Sequence, residues 1–480
     1  MTEQPSHILS PTYDRNDLRA RMLHIGLGAF AKAHVLVFHD EMLRHTESDW
    51  GVIAARLNSG AAELTQLDQA DGLYAVGEMS DDDLTLREIG AVIKTLHPAR
   101  DGADAVVEQI SSPELAVITL TITEKGYCLS GGQLDLGHKG IVEDLKGVDA
   151  PKTAIGTIVE GLRRRKDAGG TGLTILSCDN LPSNGVLCRR AVLEYARALN
   201  ADLATWVDEN CRFPCSMVDR ITPAMTEHSH DRLNQALGHP DSNGILCEPF
   251  RQWVVEASFA GERPAWDLAG AEFVADVAPF EEMKLRLLNG SHSFLAYLGA
   301  LAGKETIAEC MMDPVLLTAA RKLMLDEQVP TLEVPDGVEV SRYADTLIDR
   351  FANRALHHKT TQIATDGSQK LPQRLLASIR QHLEAGRPWP LSALAVAGWI
   401  LYCRGASETG APLPVDDPLS DQIAAIAAQF DGPDYVTRML SLKTVFGTDL
   451  PASPEFTSTV QDAYNRLSSD GVLDALSTAL

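Results

Sequence analysis

The segment "RMLHIGLGAFAKAHVLVFHDEML", residues 21–43, constrains this chain more than any other. An apolar run enters a tight turn at Gly26 and Gly28 and leaves as a helical pattern, so a buried strand must hand over at once to a helix that packs back on a sheet. The order is G-x-G-x-x-A, ending at Ala31. The first glycine permits the turn, the second lets a pyrophosphate approach the backbone, and the small third residue allows close helix packing. Ala29 and Phe30 begin the helix, whose first amides are candidate donors to that pyrophosphate. A tight turn that binds nothing is the competing reading of the same residues.

The α/β rhythm continues. "WGVIAARL" and "LAVITLTIT" are β-rich, and "TGLTILSCDNLPSNG" is a further buried-strand candidate leading into the helical "GVLCRRAVLEYARAL". Such alternation predicts a parallel sheet with helices on both faces, a Rossmann-type domain over residues 1–278. "TITEKGY", residues 121–127, closes a strand where an open sheet exposes its ligand crevice, which makes Glu124 and Lys125 candidates for the nicotinamide end of a dinucleotide; a solvated turn is the alternative. "SCDNLPSNG" is the same kind of strand end and puts Asn180 there.

An NAD-selective site carries an acid after the next strand, about 20 residues beyond the glycines, to hold the ribose hydroxyls. Here that stretch offers Arg56, Asn58 and Ser59, and Arg56 is equally suited to a 2′-phosphate. The expected cofactor is NAD, with NADP still open.

From about residue 279 the texture becomes helical. "FEEMKLRLLNGSHSFLAYLGALAG", "PVLLTAARKLMLDEQV", "SRYADTLIDRFANRAL", "QRLLASIRQHLEAG" and "LSALAVAGWILYCRG" are separated by loop-like "EVPDGVEV", "AGRPWP" and "GASETGAPLPVDDPLSD". A mostly α-helical domain over residues 279–480 is the expectation. Within it, "EEMKLRLLNGSHSFLAYLG" reads as an amphipathic helix with a polar patch. At about 100° per residue Glu281, Lys284, Leu288 and His292 share an arc of about 80°, with Asn289 about 60° beyond. Lysine, asparagine and histidine together suit carbonyl–alcohol interconversion: a lysine moves the hydroxyl proton and side-chain amides hold the developing oxyanion, without a metal. A solvated Glu–Lys pair with a capping Asn is the alternative, but Asn289-Gly290 stands where helix propensity disfavours both residues.

Charge and cysteine usage narrow the partners. A formal net charge of −24 argues against nucleic acid or an anionic membrane, and requires a locally basic pocket for any anionic ligand. The eight cysteines are scattered rather than arranged as a disulfide framework. Cys211 and Cys215, followed by His228 and His230, match no standard zinc spacing. No run approaches the ~20 apolar residues of a membrane span, and the N-terminal stretch lacks the apolar core of a signal peptide, so the simplest expectation is a cytoplasmic protein acting on a small molecule. The oligomeric state stays open.

Seven ordered blocks, "IGLGAFAKAHVLVFHDEML", "TLTITEKGYC", "SCDNLPSNG", "FPCSMVDRITPAMT", "CEPFRQWVVE", "MKLRLLNGSHSFLAYLG" and "DGSQKLPQRLL", resemble the polyol-specific long-chain dehydrogenases, the mannitol dehydrogenase family. "CEPFRQWV" with "HHKTTQIATDGSQKLPQRLL" resembles the fructuronate-reducing branch, with mannitol 2-dehydrogenases and arabinitol dehydrogenases as near relatives. The resemblance implies a Rossmann-type domain, a helical domain, a site in the cleft between them and metal-independent chemistry. It puts the general acid/base on Lys284, the oxyanion-binding pair on Asn180 and Asn289, and substrate contacts on His292 and Lys370. Asp219 and Glu281 fall on acidic positions near the site, the latter on the proton path. Where mannitol-specific relatives carry an arginine, eight residues before Lys370, this chain has Gln362, which favours a sugar acid over a polyol. Lys370, Arg374 and His358 are the candidate cations for its carboxylate, or else surface charges. A dinucleotide-binding sensor without turnover is the reading from another class.

Overall fold

The computed structural model describes residues 8–81, 83–147 and 150–480. The chain divides into two compact units, Met1–Ala278 and Pro279–Leu480.

The first unit is organised by five parallel strands, β1 (Arg19–Ile25), β2 (Trp50–Ala55), β3 (Val92–Leu96), β4 (Val117–Leu120) and β5 (Thr174–Ser177), in the spatial order β3-β2-β1-β4-β5. Side chains alternate across a strand, and here both faces are covered. Met22, Val52, Val117 and Leu176 enter one apolar core, while their neighbours Leu23, Ile53, Ile118 and Ile175 enter another. That is why the strands read as near-continuous apolar runs. The strand order reverses direction between β1 and β4, which opens a crevice beyond their carboxyl ends. Smaller sheets flank this one. Tyr74–Met79 and Leu84–Ile89 pair antiparallel, and Ser216–Asp219 pairs antiparallel with Gln252–Glu256.

The helical pattern after the glycine turn is divided in two, α1 (Ala29–Ala33) and α2 (Val35–His45). His34 leaves the helical region at φ −123° and ψ −78°. Its ring stacks on Phe30 at 4.8 Å and Nε2 donates to the Gln252 carbonyl at 2.8 Å, contacts that a continuous helix would have to reconcile with its own geometry.

The second unit is mostly helical around one large apolar core. The expected amphipathic helix is instead three segments: an α-helix at Ala278–Met283, a π-helix at Lys284–Gly290 and an α-helix at Ser291–Leu301. Every residue from Ser291 to Leu301 is buried, so this stretch has no solvent face. The 100° arithmetic also fails across a π-segment, whose bonds run from i to i+5. Close packing explains Gly290: a Cβ there would lie 3.1 Å from the carbonyl oxygen of Arg374. Two more helical stretches contain π-segments, Leu323–Gln328 and Pro372–Leu376. The second begins at Pro372, which lacks the N–H for the normal α-helical bond. Among the described residues no helix is long and apolar enough to cross a membrane.

Candidate active site

In the first unit the crevice beyond β1 and β4 is a cavity of about 480 Å³, lined by Gly26, Leu27 and Gly28, by Arg56 to Ser59, by Thr121 to Thr123 and by Lys125, among others. Gly26 has φ +100°, and a Cβ on it would sit 2.2 Å from the Thr121 carbonyl oxygen. Only glycine allows β1 and β4 to end this close together. Gly28 is different: its Cβ would meet nothing nearer than Gly26 O at 3.7 Å, so the missing side chain leaves room on the cavity side. Buried Ala31 lets α1 settle against the core.

Two buried groups hold this turn. Thr121 Oγ1 donates to Gly26 O at 2.8 Å, and therefore accepts from His24 Nε2 at 3.0 Å. In the neutral imidazole His24 Nδ1 then accepts from Thr119 Oγ1 at 2.9 Å. Burial lowers its pKa to about 4. On the other wall, the Asp179 carboxylate accepts from the Ile122 and Thr123 amides at 3.1 and 2.9 Å and from the Tyr127 hydroxyl at 2.7 Å. It thereby secures a turn in which Thr123 has φ +62°. Burial raises the Asp179 pKa, against the pull of those three donors.

Arg56 lies at the end of β2 with Nε donating to Leu27 O at 2.6 Å. Lys125 lines the cavity, whereas Glu124 on the same turn does not. Ala29 and Phe30 follow the glycine turn but are not among the lining residues. Asn180 is exposed beyond β5, and Asp219 is buried at the end of Ser216–Asp219. The residues of the cavity fit a dinucleotide: a glycine turn shaped for close approach, and the basic side chains of Arg56, Lys125 and Lys152 for phosphate charge.

In the second unit Lys284 is buried at the first position of the π-segment, with Glu281 one turn earlier in the preceding helix. Asn289 lies at the far end of the π-segment. Arg374 Nη1 donates to the Asn289 carbonyl at 3.3 Å and to Ser293 Oγ at 3.1 Å, bracing the chain on either side of His292. The His292 ring packs on Phe351 at 4.5 Å and edge-on to His358 at 5.3 Å. Burial first, then the nearby His358, Arg374, Arg350 and Lys370, hold its pKa well below the ordinary histidine value. Burial likewise lowers Lys370 to about 8, helped by Arg374 and opposed by Asp366 and Asp417, and lowers Arg374 to about 10. His358 is lowered by burial and by Lys370. Lys370 Nζ donates to Ile363 O and Thr365 Oγ1 at 3.2 and 3.3 Å. The Gln362 side chain is exposed.

The fold thus gathers Gly26, Gly28, Arg56 and Lys125 on one cavity of the first unit, and Asn289, His292, His358, Lys370 and Arg374 in one basic group of the second. Sequence reading missed Asp179, although it stands beside Asn180 in a quoted block, and missed His24. It also missed Arg350, a buried arginine one residue before the core residue Phe351. Cys211 and Cys215 are buried, His228 is exposed, and among the described residues no group of three or more His, Cys, Asp or Glu is placed to hold a metal ion.

A Rossmann-type dinucleotide site on a chain with a separate helical, cation-bearing unit defines a class of two-unit oxidoreductases. The chain belongs to the mannitol dehydrogenase family: residues 20–268 match the mannitol dehydrogenase Rossmann domain and residues 276–468 the mannitol dehydrogenase C-terminal domain. It is 47% identical to the uncharacterized oxidoreductase YeiQ of Escherichia coli (strain K12), over 99% of this chain and 98% of that protein. It is 45% identical to the D-mannonate oxidoreductase of the same strain, over 98% and 97%. Among solved structures it resembles Pseudomonas fluorescens mannitol 2-dehydrogenase in its ternary complex with NAD and D-mannitol, with a TM-score of 0.84, 36% identity, and 98% and 96% coverage.

Proposed function

We propose that this oxidoreductase interconverts D-fructuronate and D-mannonate, with NAD(H) or NADP(H) as its hydride carrier. The observation that carries the sugar-acid reading is the convergence of His358, Arg374, Arg350 and Lys370 around His292 in a chain whose net charge is −24. An anionic substrate needs such a local reversal of sign. Likeness to the D-mannonate oxidoreductase supports the same substrate pair.

The bound nicotinamide dinucleotide would supply or accept the hydride at the secondary carbon. Gly26 and Gly28 give its pyrophosphate backbone to lie against, and Lys125 faces the cavity beside them. Lys284 donates a proton to the forming alkoxide in reduction and removes the hydroxyl proton in oxidation. Asn180 and Asn289 hold the reacting oxygen. His292, neutral at physiological pH, orients a neighbouring hydroxyl by donating or accepting a hydrogen bond without adding charge. Glu281, one turn before Lys284, relays protons to and from it. An ammonium has three N–H donors. Lys370 spends two on Ile363 O and Thr365 Oγ1, which leaves one for the substrate carboxylate. Arg374 braces Asn289 and adds long-range positive charge.

The likeness to mannitol 2-dehydrogenase favours a second reading, a neutral ketose–polyol pair. Lys370→Gln separates the two. Loss of one charge-assisted hydrogen bond, about 1.5–3 kcal/mol, lowers kcat/KM for D-fructuronate by about 10- to 150-fold and leaves D-fructose nearly untouched. An equal loss for both sugars would move the carboxylate elsewhere.

A further inference from the structure

We propose that the first unit is built to take a phosphate on the adenosine 2′-hydroxyl, so that NADP(H) binds at least as well as NAD(H), with Arg56 as the residue that decides. This rests on the dinucleotide reading of the cavity and not on the identity of the sugar.

Four observations converge. The end of β2 is where discrimination is exercised in this strand order, and a carboxylate there would hold the two ribose hydroxyls and repel a phosphate. Position 56 is an arginine instead. Its guanidinium is pre-positioned: Nε is anchored on Leu27 O at 2.6 Å, and among the described residues Nη1 and Nη2 donate to no partner. A planar fork with its stem fixed and its outer edge unspent is the form arginine takes where it binds phosphate.

Room has also been made for that fork. Gly60, at φ +88°, would place a Cβ 1.9 Å from Arg56 Nη1, so only glycine leaves the guanidinium where it is. Gly60 is the N-cap of the nine-residue helix Ala61–Gln69 and supplies no side-chain cap, so the first-turn amides beside Arg56 have none. Burial and then Arg56 lower the Lys32 pKa to about 8, against the smaller opposing pull of Asp241 and of Glu63 in that turn.

The composition of the wall points the same way. Among the described residues, the lining of the cavity includes Arg56, Lys125 and Lys152 and no aspartate or glutamate. Acidic residues outnumber basic ones by 66 to 42 in the chain, so a wall without any is a local departure suited to more negative charge than a pyrophosphate alone carries. Asn58 and Ser59, both exposed on the same wall, add an amide and a hydroxyl donor.

Calorimetric titration of the full chain with 2′,5′-ADP and with 5′-AMP reads the subsite directly, and NADPH against NADH reads it in the whole cofactor. The expected result is 2′,5′-ADP binding at least about tenfold tighter than 5′-AMP, a preference that shrinks as salt is raised. Arg56→Gln brings the ratio to about one. Ser59→Asp, an exposed change that spares the Leu27 anchor, reverses it and serves if Arg56→Gln fails to fold. Tighter binding of 5′-AMP by the natural chain, a ratio indifferent to both substitutions, or no binding of either nucleotide would each overturn the proposal. A 2′-phosphate preference in a protein that does not reduce D-fructuronate would leave this inference standing and refute the substrate reading alone.

Discussion

Replacing the two glycines of the turn one at a time separates what the turn does for the fold from what it does for the cofactor. Gly26→Ala puts a side chain at φ +100°, with its Cβ 2.2 Å from Thr121 O and 2.8 Å from Thr121 C. The neighbour is backbone at the end of β4, held by the bonds of Thr121 Oγ1 to Gly26 O and to His24 Nε2, so it cannot yield cheaply. Backbone strain of about 1–3 kcal/mol and overpacking of about 1–3 kcal/mol together cost roughly 2–6 kcal/mol. That is a large part of the 5–15 kcal/mol that typically holds a domain. Gly28→Ala has φ −113° and an ordinary 3.7 Å contact, so its stability stays within about 1 kcal/mol of the natural chain. Its methyl group, however, occupies the approach of the pyrophosphate and weakens dinucleotide binding by about 10- to 100-fold, or about 1.4–2.8 kcal/mol. Urea unfolding and a fluorescence titration with reduced cofactor on both variants give the four numbers. A Gly26→Ala protein as stable as the natural one, or a Gly28→Ala protein with unchanged affinity, would refute the geometry of the turn.

Lys284→Ala lowers turnover by about 100- to 10,000-fold, the range of a lost general acid, while cofactor affinity stays within a factor of about two; near-normal turnover would remove Lys284 from the chemistry. Because free Lys370 titrates at about 8, kcat/KM for an anionic substrate falls as pH rises through that value, whereas a neutral ketose shows no such limb from this residue. His24 and His39 have folded-state values of about 4 against an ordinary 6.5, so the unfolded chain takes up the protons between those limits. Stability present above pH 6.5 is therefore lost as pH falls towards 4, by about 3 kcal/mol per histidine, and urea midpoints at the two ends of the window measure it.

The parallel sheet was legible because its strands are buried on both faces and so print long apolar runs, and the glycine turn because Gly26 answers a steric demand no other residue meets. The helical second unit was legible from the same kind of pattern. What it concealed were the π-segments. Spacing of apolar residues by three and four fits an α-helix and an α-helix with one widened turn equally well, so Asn289-Gly290 was the one visible sign of Lys284–Gly290. The break at His34 within the helical pattern after Gly28 was hidden because its partner, the Gln252 carbonyl, lies 218 residues away. Distance in sequence also hid Asp179 as the clamp on residues 122–127 and brought Lys152 to the cavity wall from a segment with no motif of its own. Arg350 went unnoticed because a charged residue in a helix is ordinarily solvated, and only the packed structure shows it buried beside His292. The basic group of the second unit was the most visible part of the candidate site, since Lys370, Arg374 and His358 stand close together in the chain.

The most direct test of the account is the initial rate of reduced-cofactor consumption by the purified chain with D-fructuronate, beside the rate with D-fructose at equal concentration. The account predicts rapid consumption with D-fructuronate and little or none with D-fructose. Consumption with D-fructose alone would contradict the sugar-acid reading and give the cation group around His292 some other purpose.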